Sequence, residues 1–136
     1  MTVQEFCTAR GIKATVKQVN DNPAMKPANT APASEKEWYY AASHYRVTLR
    51  MYGRSMTVGY SQGCGIKSEP TADRVLECLI SDALCASGSF EEFCDDCGYD
   101  ADSRKAERIY RACVSIRARL RRFLGSEYDT ALSLEY

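Results

Sequence analysis

Apolar and polar residues alternate in three segments of this chain, and a period of two predicts β-strands. The alternation occupies residues near 12–19, 44–52 and 55–61, and a turn around Gly53 separates the last two segments. These two segments are therefore predicted to form a hairpin, and the first adds to it as a three-stranded antiparallel sheet. The solvent face of this sheet is predicted to be partly basic, through Lys13, Lys17, Arg46 and Arg50.

A second pattern, with apolar residues three or four positions apart, predicts helices in the C-terminal half of the chain. These helices lie near 70–86, 89–97 and 102–124, and a short helix opens the chain. Ser126 with Asp129 indicates a cap for one last helical turn. The order of elements predicts an α+β fold in which helices pack on one face of the sheet.

The predicted helix ends carry recognisable start and stop residues. Thr2 with Glu5, and Ser89 with Glu92, have the spacing of capping boxes, in which two polar side chains satisfy backbone N–H groups at a helix start. Glycine tolerates the left-handed backbone conformation that ends many helices. We therefore expect helices to stop at Gly11, Gly98 and Gly125.

Residues 20–36 follow neither period. They contain Pro23, Pro27 and Pro32 among Ala, Asn, Ser and Thr, a composition that predicts a long mobile loop. The apolar pattern resumes at residues 38–40. A chain of 136 residues is most simply one domain, and we assign residues 1–136 to a single α+β domain.

The charge of the chain averages to zero but is strongly segregated. The sequence has 18 Lys and Arg residues against 18 Asp and Glu residues. Between Glu69 and Asp102 the charged residues are carboxylates with Arg74 as the one cation, whereas between Ser103 and Leu124 they are cations with Glu107 as the one carboxylate. This separation predicts a molecule with an acidic pole and a basic pole.

Each pole supplies a candidate binding surface. An acidic surface suits a basic groove on a partner, and arginines bind carboxylates or phosphates with two hydrogen bonds each. The candidate acidic residues are Glu69, Asp73, Glu77, Glu91, Glu92, Asp95 and Asp96. The candidate basic residues, on one side of the helix over 103–124, are Arg104, Arg108, Arg111, Arg119 and Arg122.

The cysteine and histidine residues that could bind a metal or take part in catalysis lack the additional ligands or catalytic partners that these roles require. Cys94 and Cys97 have the spacing of a thiolate pair, but a structural zinc site normally takes four ligands and no second pair follows. The pair lies at the end of a predicted helix, beside Asp95 and Asp96, where thiolates are disfavoured. His44 is the one histidine and is expected to be structural. We therefore predict two ordinary thiols, no metal, no cofactor and no enzymatic activity.

Two further properties bear on where the protein acts. The sequence has no apolar run of the length that spans a bilayer, and it shows no signal peptide. Its seven cysteines are an odd number, and in a reducing compartment they stay as thiols. The expected location is the cytoplasm, without a membrane partner.

Several segments resemble a group of small, uncharacterised proteins encoded by bacteriophages and prophages. The most specific is the run Gly98-Tyr99-Asp100-Ala101-Asp102-Ser103-Arg104-Lys105-Ala106, and further similarity lies at 47–49, 56–58, 61–63 and 69–72. The group has no established activity, so the resemblance transfers no catalytic residue. It implies a small phage accessory protein, a class that includes inhibitors of host defence such as anti-CRISPR proteins.

These observations lead to two functional hypotheses. The first is a phage-encoded, non-enzymatic inhibitor that acts in the cytoplasm of a bacterial host and binds a host protein or ribonucleoprotein defence complex, most concretely a CRISPR effector. Two surfaces are open to it: the acidic surface, which is favoured because defence effectors carry basic channels, or the arginine side of the long helix, which would bind an acidic patch. The second is a nucleic-acid-binding phage accessory protein that uses the basic helix over 103–124 together with the basic sheet residues. Steep weakening by salt is expected for the second, because phosphate contacts release counterions.

Overall fold

The computed structural model describes residues 1–135. Its strands are β1 (Lys13–Val19), β2 (Ser43–Met51) and β3 (Arg54–Gln62). Its helices are α1 (Val3–Arg10), α2 (Ala33–Ala41), α3 (Ala72–Cys85), α4 (Phe90–Cys97), α5 (Arg104–Leu124) and α6 (Tyr128–Leu132), with a 3-10 turn at Gly125–Glu127.

The predicted α+β class and antiparallel sheet are confirmed. Within the described residues the sheet has the order β1–β2–β3, and both neighbouring pairs are antiparallel. Tyr52 and Gly53 make the hairpin turn with φ angles of 49° and 78°. Positive φ at both central residues gives the turn a twist that matches the flanking strands. Met51 and Arg54 are therefore directly opposite each other in register.

The strict alternation of β2 separates the sheet into two faces. Val47 and Leu49 are fully buried, while Arg46, which precedes them, and Arg50, which follows them, are exposed. The inner face packs against the helices, where the core collects apolar residues from α1, α3, α5 and α6. Burial of side chains such as these stabilises the fold by about 1.5–3 kcal/mol each.

Two of the three predicted stop residues, Gly11 and Gly98, adopt the expected left-handed conformation. Gly125 also ends its helix, but with a φ of 57° and a ψ of −127°, which lies outside the left-handed helical region. Thr2 and Glu5 form the complete capping box of α1, and Gly11 ends it with a φ of 64°. Ser89 accepts a hydrogen bond from the Glu92 backbone N–H, which is one half of the second predicted box. Gly98 then ends α4 with a φ of 73°.

Helix α5 packs along α3 and presents the predicted apolar stripe to the core. Leu120 and Leu124 are fully buried beneath it, and Ser103 caps its first turn by accepting from the Ala106 backbone N–H. A second, smaller cluster forms between α4 and the start of α5, around Phe93 and Cys94. This packing fixes which sides of α3, α4 and α5 face solvent.

The predicted loop over 20–36 is wrong in its last four residues, 33–36. Helix α2 begins at Ala33, so the irregular segment covers residues 20–32. No helical period of apolar residues appears here because one residue of α2, Tyr39, is buried, whereas its neighbours Trp38 and Tyr40 are exposed. Tertiary contacts of Tyr39, rather than an apolar stripe, hold this helix on the sheet.

The end of the chain forms the predicted last helical turn, but without the predicted cap. Ser126 lies in the 3-10 turn, and α6 starts without a side-chain hydrogen bond at its N-terminus. The segment is held instead by pairing with the start of the chain, where Val3 donates its backbone N–H to the Glu135 carbonyl at 2.9 Å. A parallel bridge between Thr2 and Glu135 results.

Candidate binding surfaces

The predicted acidic surface is divided by the fold into two groups. One group lies just before α3 and in its first half, and consists of Glu69, Asp73 and Glu77. This group is close to α1, since Asp73 and Glu77 add to the effect of burial in raising the pKa of Cys7. The other group is exposed on α4, beyond the far end of α3, and consists of Glu91, Glu92, Asp95 and Asp96. The sequence alone does not reveal this division, because it depends on how α4 turns away from α3.

Several of these carboxylates also have a local structural role. Asp73 lies in the first turn of α3, and Glu91 and Glu92 lie in the first turn of α4. Negative charge at these positions complements the positive end of the helix dipole. The Ser89 hydroxyl also donates to the Glu92 carboxylate at 3.5 Å. Asp95 and Asp96 are farther along α4 and are the two α4 carboxylates most available to a partner.

The five predicted arginines of α5 share one side of the helix. At about 100° per residue they fall within an arc of about 80°. Arg111 pairs with Glu107 at 2.5 Å, and Arg119 donates a hydrogen bond to the Thr57 backbone carbonyl of β3. No described residue forms an ion pair or hydrogen bond with the side chains of Arg104, Arg108 and Arg122 in this structure.

The two poles do not neutralise each other. Residues 1–135 form ion pairs between Arg10 and Glu127, between Lys105 and Glu35, and between Arg111 and Glu107. Within this range no carboxylate of α4 pairs with an arginine of α5. The charge separation seen in the sequence therefore persists at the folded surface.

The register of the sheet places the four predicted cations of its outer face directly opposite one another. Lys13 lies directly opposite Arg50, and Lys17 lies directly opposite Arg46, on neighbouring strands. Like charges in directly opposed positions destabilise a sheet. Lys13, Lys17 and Arg46 have no internal ion pair or hydrogen bond among the described residues. We call these four cations the basic sheet surface.

A row of hydroxyl groups connects the basic sheet surface with the C-terminal half of α5. The Arg50 guanidinium donates to the Thr15 hydroxyl at 2.5 Å, and the hydroxyls of Thr48 and Thr57 are 2.9 Å apart. Beyond Thr57, a shallow depression is lined by Arg54, Arg119 and Arg122. The sheet cations and these arginines, which lie far apart in sequence, thus flank the same strand.

His44 occupies a structural position, as its lack of partners in the sequence led us to expect. It is 5% exposed, and its Nε2 lies 2.8 Å from the Tyr39 carbonyl oxygen. Because a carbonyl only accepts, Nε2 donates this bond. In the neutral ring Nδ1 then accepts from the Ser61 hydroxyl at 2.7 Å, and that hydroxyl oxygen in turn accepts from the Asn22 amide at 2.7 Å. Both ring nitrogens are thus occupied inside the protein.

The cysteine pair is also placed by the packing of α4. Cys94 is 2% exposed in the small core, whereas Cys97 is exposed and interacts with Cys85 of α3. Among the described residues, no group of three or more His, Cys, Asp or Glu side chains converges as metal ligands. Cys94 is therefore a thiol packed inward, and Cys97 is an exposed thiol.

Thiol labelling is expected to separate the cysteines by burial. Burial, followed by nearby carboxylates, raises the pKa of Cys7 to about 11 and that of Cys113 to about 12. A maleimide reagent at about pH 8, read by mass spectrometry of peptides, should label Cys64 and Cys97 at least about tenfold faster than Cys7 and Cys113. Equal rates in the native protein would contradict the described burial.

Sequence reasoning missed one feature near these surfaces, an apolar cleft between α2, α3, α5 and the edge of β3. It is lined by Trp38 and Asp82, among others, and has a volume of about 490 Å³. Asp82 appeared in the sequence as one of many carboxylates in the acidic half. Its position in an apolar wall depends on the docking of α5 against α3.

No family model matches this chain, and no curated protein or solved structure is significantly similar to it. The resemblance to phage-encoded proteins therefore stays a prediction. The described residues also contain no helix of sufficient length and apolar character to cross a membrane. The functional argument accordingly depends on the surfaces themselves.

Proposed function

We propose that this protein is a non-enzymatic binding protein that contacts the phosphate backbone of nucleic acid through its basic sheet surface. The observation that carries the proposal is the register of β1 and β2, which places Lys13 opposite Arg50 and Lys17 opposite Arg46. This arrangement costs stability in the free protein, because like charges repel across the strands. A polyanion laid on the face would relieve that repulsion.

The dimensions of the surface suit an extended anionic partner. Lys13 and Lys17 are four residues apart on one strand, or about 13 Å, and neighbouring strands are about 4.8 Å apart. Thr15 and Thr48 lie between the cations on the outer face, and Thr57 lies next to Thr48 on β3. Hydroxyl groups donate readily to phosphate oxygens. The face therefore combines charge attraction with short-range hydrogen-bond donors.

The same positions favour backbone contacts over base contacts. The outer-face residues of the three strands over 13–17, 46–50 and 55–57 include no aromatic side chain. Proteins that bind single strands stack bases on aromatic side chains. We therefore expect duplex nucleic acid to be bound with little sequence preference and with strong dependence on salt.

Reversing one charge is expected to weaken binding while leaving the fold intact. The Lys17→Glu variant places a carboxylate opposite Arg46, and an opposite-charge pair in that position stabilises a sheet by about 0.2–1 kcal/mol. Fluorescence anisotropy with a labelled 20-base-pair DNA duplex at about 50 mM NaCl should show affinity reduced about tenfold, with the salt slope lowered by about 1.

The matched control is Lys67→Glu, which makes the same change of charge at an exposed position outside the strands. Its affinity should fall less than about twofold, because the duplex contacts the sheet. The proposal fails if the wild-type protein does not bind duplex or single-stranded probes at low salt. It also fails if both variants weaken binding equally, since net charge alone would then explain the effect.

A second candidate is the stoichiometric inhibitor of a host defence complex that the sequence placed first. The observation in its favour is the exposed pair Asp95 and Asp96 on α4, which no described cation neutralises. Complementary charge would speed its encounter with the basic channel of an effector. Asp95→Lys with Asp96→Lys should then abolish co-purification with the effector, whereas Lys17→Glu should not.

A further inference from the structure

The cleft beside β3 has the size and shape of a small-molecule site. Its walls come from the segment 22–27, from α2 and α3, from residues 58–60 of β3 and from α5. Its volume of about 490 Å³ is within the range of about 300–1,000 Å³ that is usual for ligand pockets. Five separate parts of the chain therefore enclose one cavity.

The walls of this cleft are mainly apolar. Val58, Leu79 and Ile109 line its interior. At its mouth, Trp38 is 45% exposed and Met25 is 52% exposed, although both are large apolar side chains. An exposed apolar group beside an apolar cavity commonly marks a binding site. The body of a ligand that fills this space is accordingly apolar.

One wall of the cleft carries a carboxylate without an internal partner. Asp82 of α3 is partly buried there, and among residues 1–135 it forms neither a hydrogen bond nor an ion pair. Burial raises its pKa above the usual range of an aspartate. No neighbouring cation contributes to that shift, so the charge of Asp82 is uncompensated within the protein.

The other charges of the cleft lie elsewhere on its walls. Glu35 is already paired with Lys105 at 2.5 Å, and Arg119 donates to the Thr57 carbonyl. Arg108 is exposed on α5. A ligand charge complementary to Asp82 is positive, and a charge-assisted hydrogen bond in a partly desolvated cleft is stronger than the same bond in water.

We propose that this cleft binds a small molecule with an aromatic or branched apolar body and a single protonated amine, which contacts the Asp82 carboxylate. The apolar body packs against Trp38 and Ile109. This site is separate from the basic sheet surface, and it does not depend on the proposed contact with nucleic acid. Lys17→Glu should leave it unchanged.

Three probes with the same indole ring test the chemistry of the site. Tryptamine carries an amine, indole-3-propionic acid carries a carboxylate, and 3-methylindole carries neither. By isothermal titration calorimetry at neutral pH, tryptamine should bind with a dissociation constant of about 0.1–1 mM, in the range expected of so small a ligand. The other two probes should bind at least about tenfold more weakly.

The Asp82→Asn variant removes the charge and keeps the shape of the side chain. Tryptamine affinity should fall about tenfold in this variant, while the weak binding of 3-methylindole should not change. Because burial disfavours the ionised form of Asp82, the variant should fold at least as stably as the wild type. Tryptamine binding to the wild type should also weaken on acidification, as Asp82 takes up a proton.

A second variant tests the cavity independently of the charge. Ala112 lines the cleft on α5, whereas Ala118, which is also exposed, lies outside the cleft about 120° around the same helix. Ala112→Trp should block tryptamine, and the control Ala118→Trp should not. The proposal is overturned if tryptamine does not bind below about 10 mM, if the carboxylate probe binds more tightly, or if Asp82→Asn and Ala112→Trp both bind like the wild type.

Discussion

Replacing Leu49 with alanine is expected to lower the free energy of unfolding by about 3–4 kcal/mol, because the variant leaves a cavity in the core. Leu49 is fully buried on the inner face of the central strand β2. It lies opposite Ala14 of β1 and Met56 of β3. Neither the small Ala14 nor the flanking strands can close the space that the missing methyl groups leave.

Thr48→Ala is the matched control for this prediction. Thr48 is the preceding residue on the same strand, but its side chain lies on the outer face and bonds to the Thr57 hydroxyl. Losing that exposed bond should cost less than about 1 kcal/mol. Urea unfolding followed by circular dichroism would measure both variants. Similar losses would contradict the assignment of the two sheet faces.

Replacing Tyr39 with alanine is the second substitution for which we expect a large effect, a loss of about 3–4 kcal/mol. Tyr39 is 3% exposed, and its ring packs 4.4 Å from that of His44. Its hydroxyl accepts a hydrogen bond from the Asn22 backbone N–H at 2.9 Å and donates one to Asp21. This one side chain therefore joins α2, the sheet and the segment 20–32.

The expected consequence of Tyr39→Ala is local as well as global. Asn22 is 3% exposed, and without Tyr39 its buried N–H loses its partner, so the segment should open. Limited proteolysis should then cut within residues 20–32 at least about tenfold faster than in the wild type.

Tyr40→Ala provides the comparison, since Tyr40 is 72% exposed on the same helix. It should lose less than about 1 kcal/mol and keep the wild-type rate of cleavage. If Tyr39→Ala unfolds like Tyr40→Ala, the hydrogen bonds of Tyr39 do not hold the segment. The description of α2 as a helix fixed by tertiary contacts would then be wrong.

Sequence patterns predicted the strands and most helix ends because those features depend on neighbouring residues. Val47 and Leu49 alternate with Arg46 and Thr48, and a sheet with one buried face needs that alternation. The capping box at Thr2 and the left-handed glycine at 98 are likewise local. The predicted bounds of α3 and α5 are within two residues of the observed ones.

Helix α2 could not be predicted in this way. Three aromatic residues in a row, at 38–40, carry no period of three to four, and Pro32 with its polar neighbours is typical of a loop. The helix forms because Tyr39 finds partners that are 17 or 18 residues earlier in the chain. A single-sequence pattern contains no trace of such long-range contacts.

The candidate sites show the same limit. The four cations of the sheet were visible in the sequence, but their direct opposition depends on the register of β1 against β2. The approach of Arg119 to Thr57 joins residues 62 positions apart. Asp82 gains its distinctive environment only when α5 docks on α3. A site formed by residues that are distant in sequence is therefore not found by a search for motifs with a fixed residue spacing.

The cations of the sheet have a further consequence for the behaviour of the protein at high concentration. Strands β1 and β3 are the two edges of the sheet, where unpaired backbone groups invite a strand from another molecule. Lys13 and Lys17 lie on the edge strand β1. On the edge strand β3, the Thr57 backbone carbonyl already accepts a hydrogen bond from Arg119. The positive charges of Lys13 and Lys17, which would attract an anion, therefore also disfavour the pairing of β1 with a strand from another molecule.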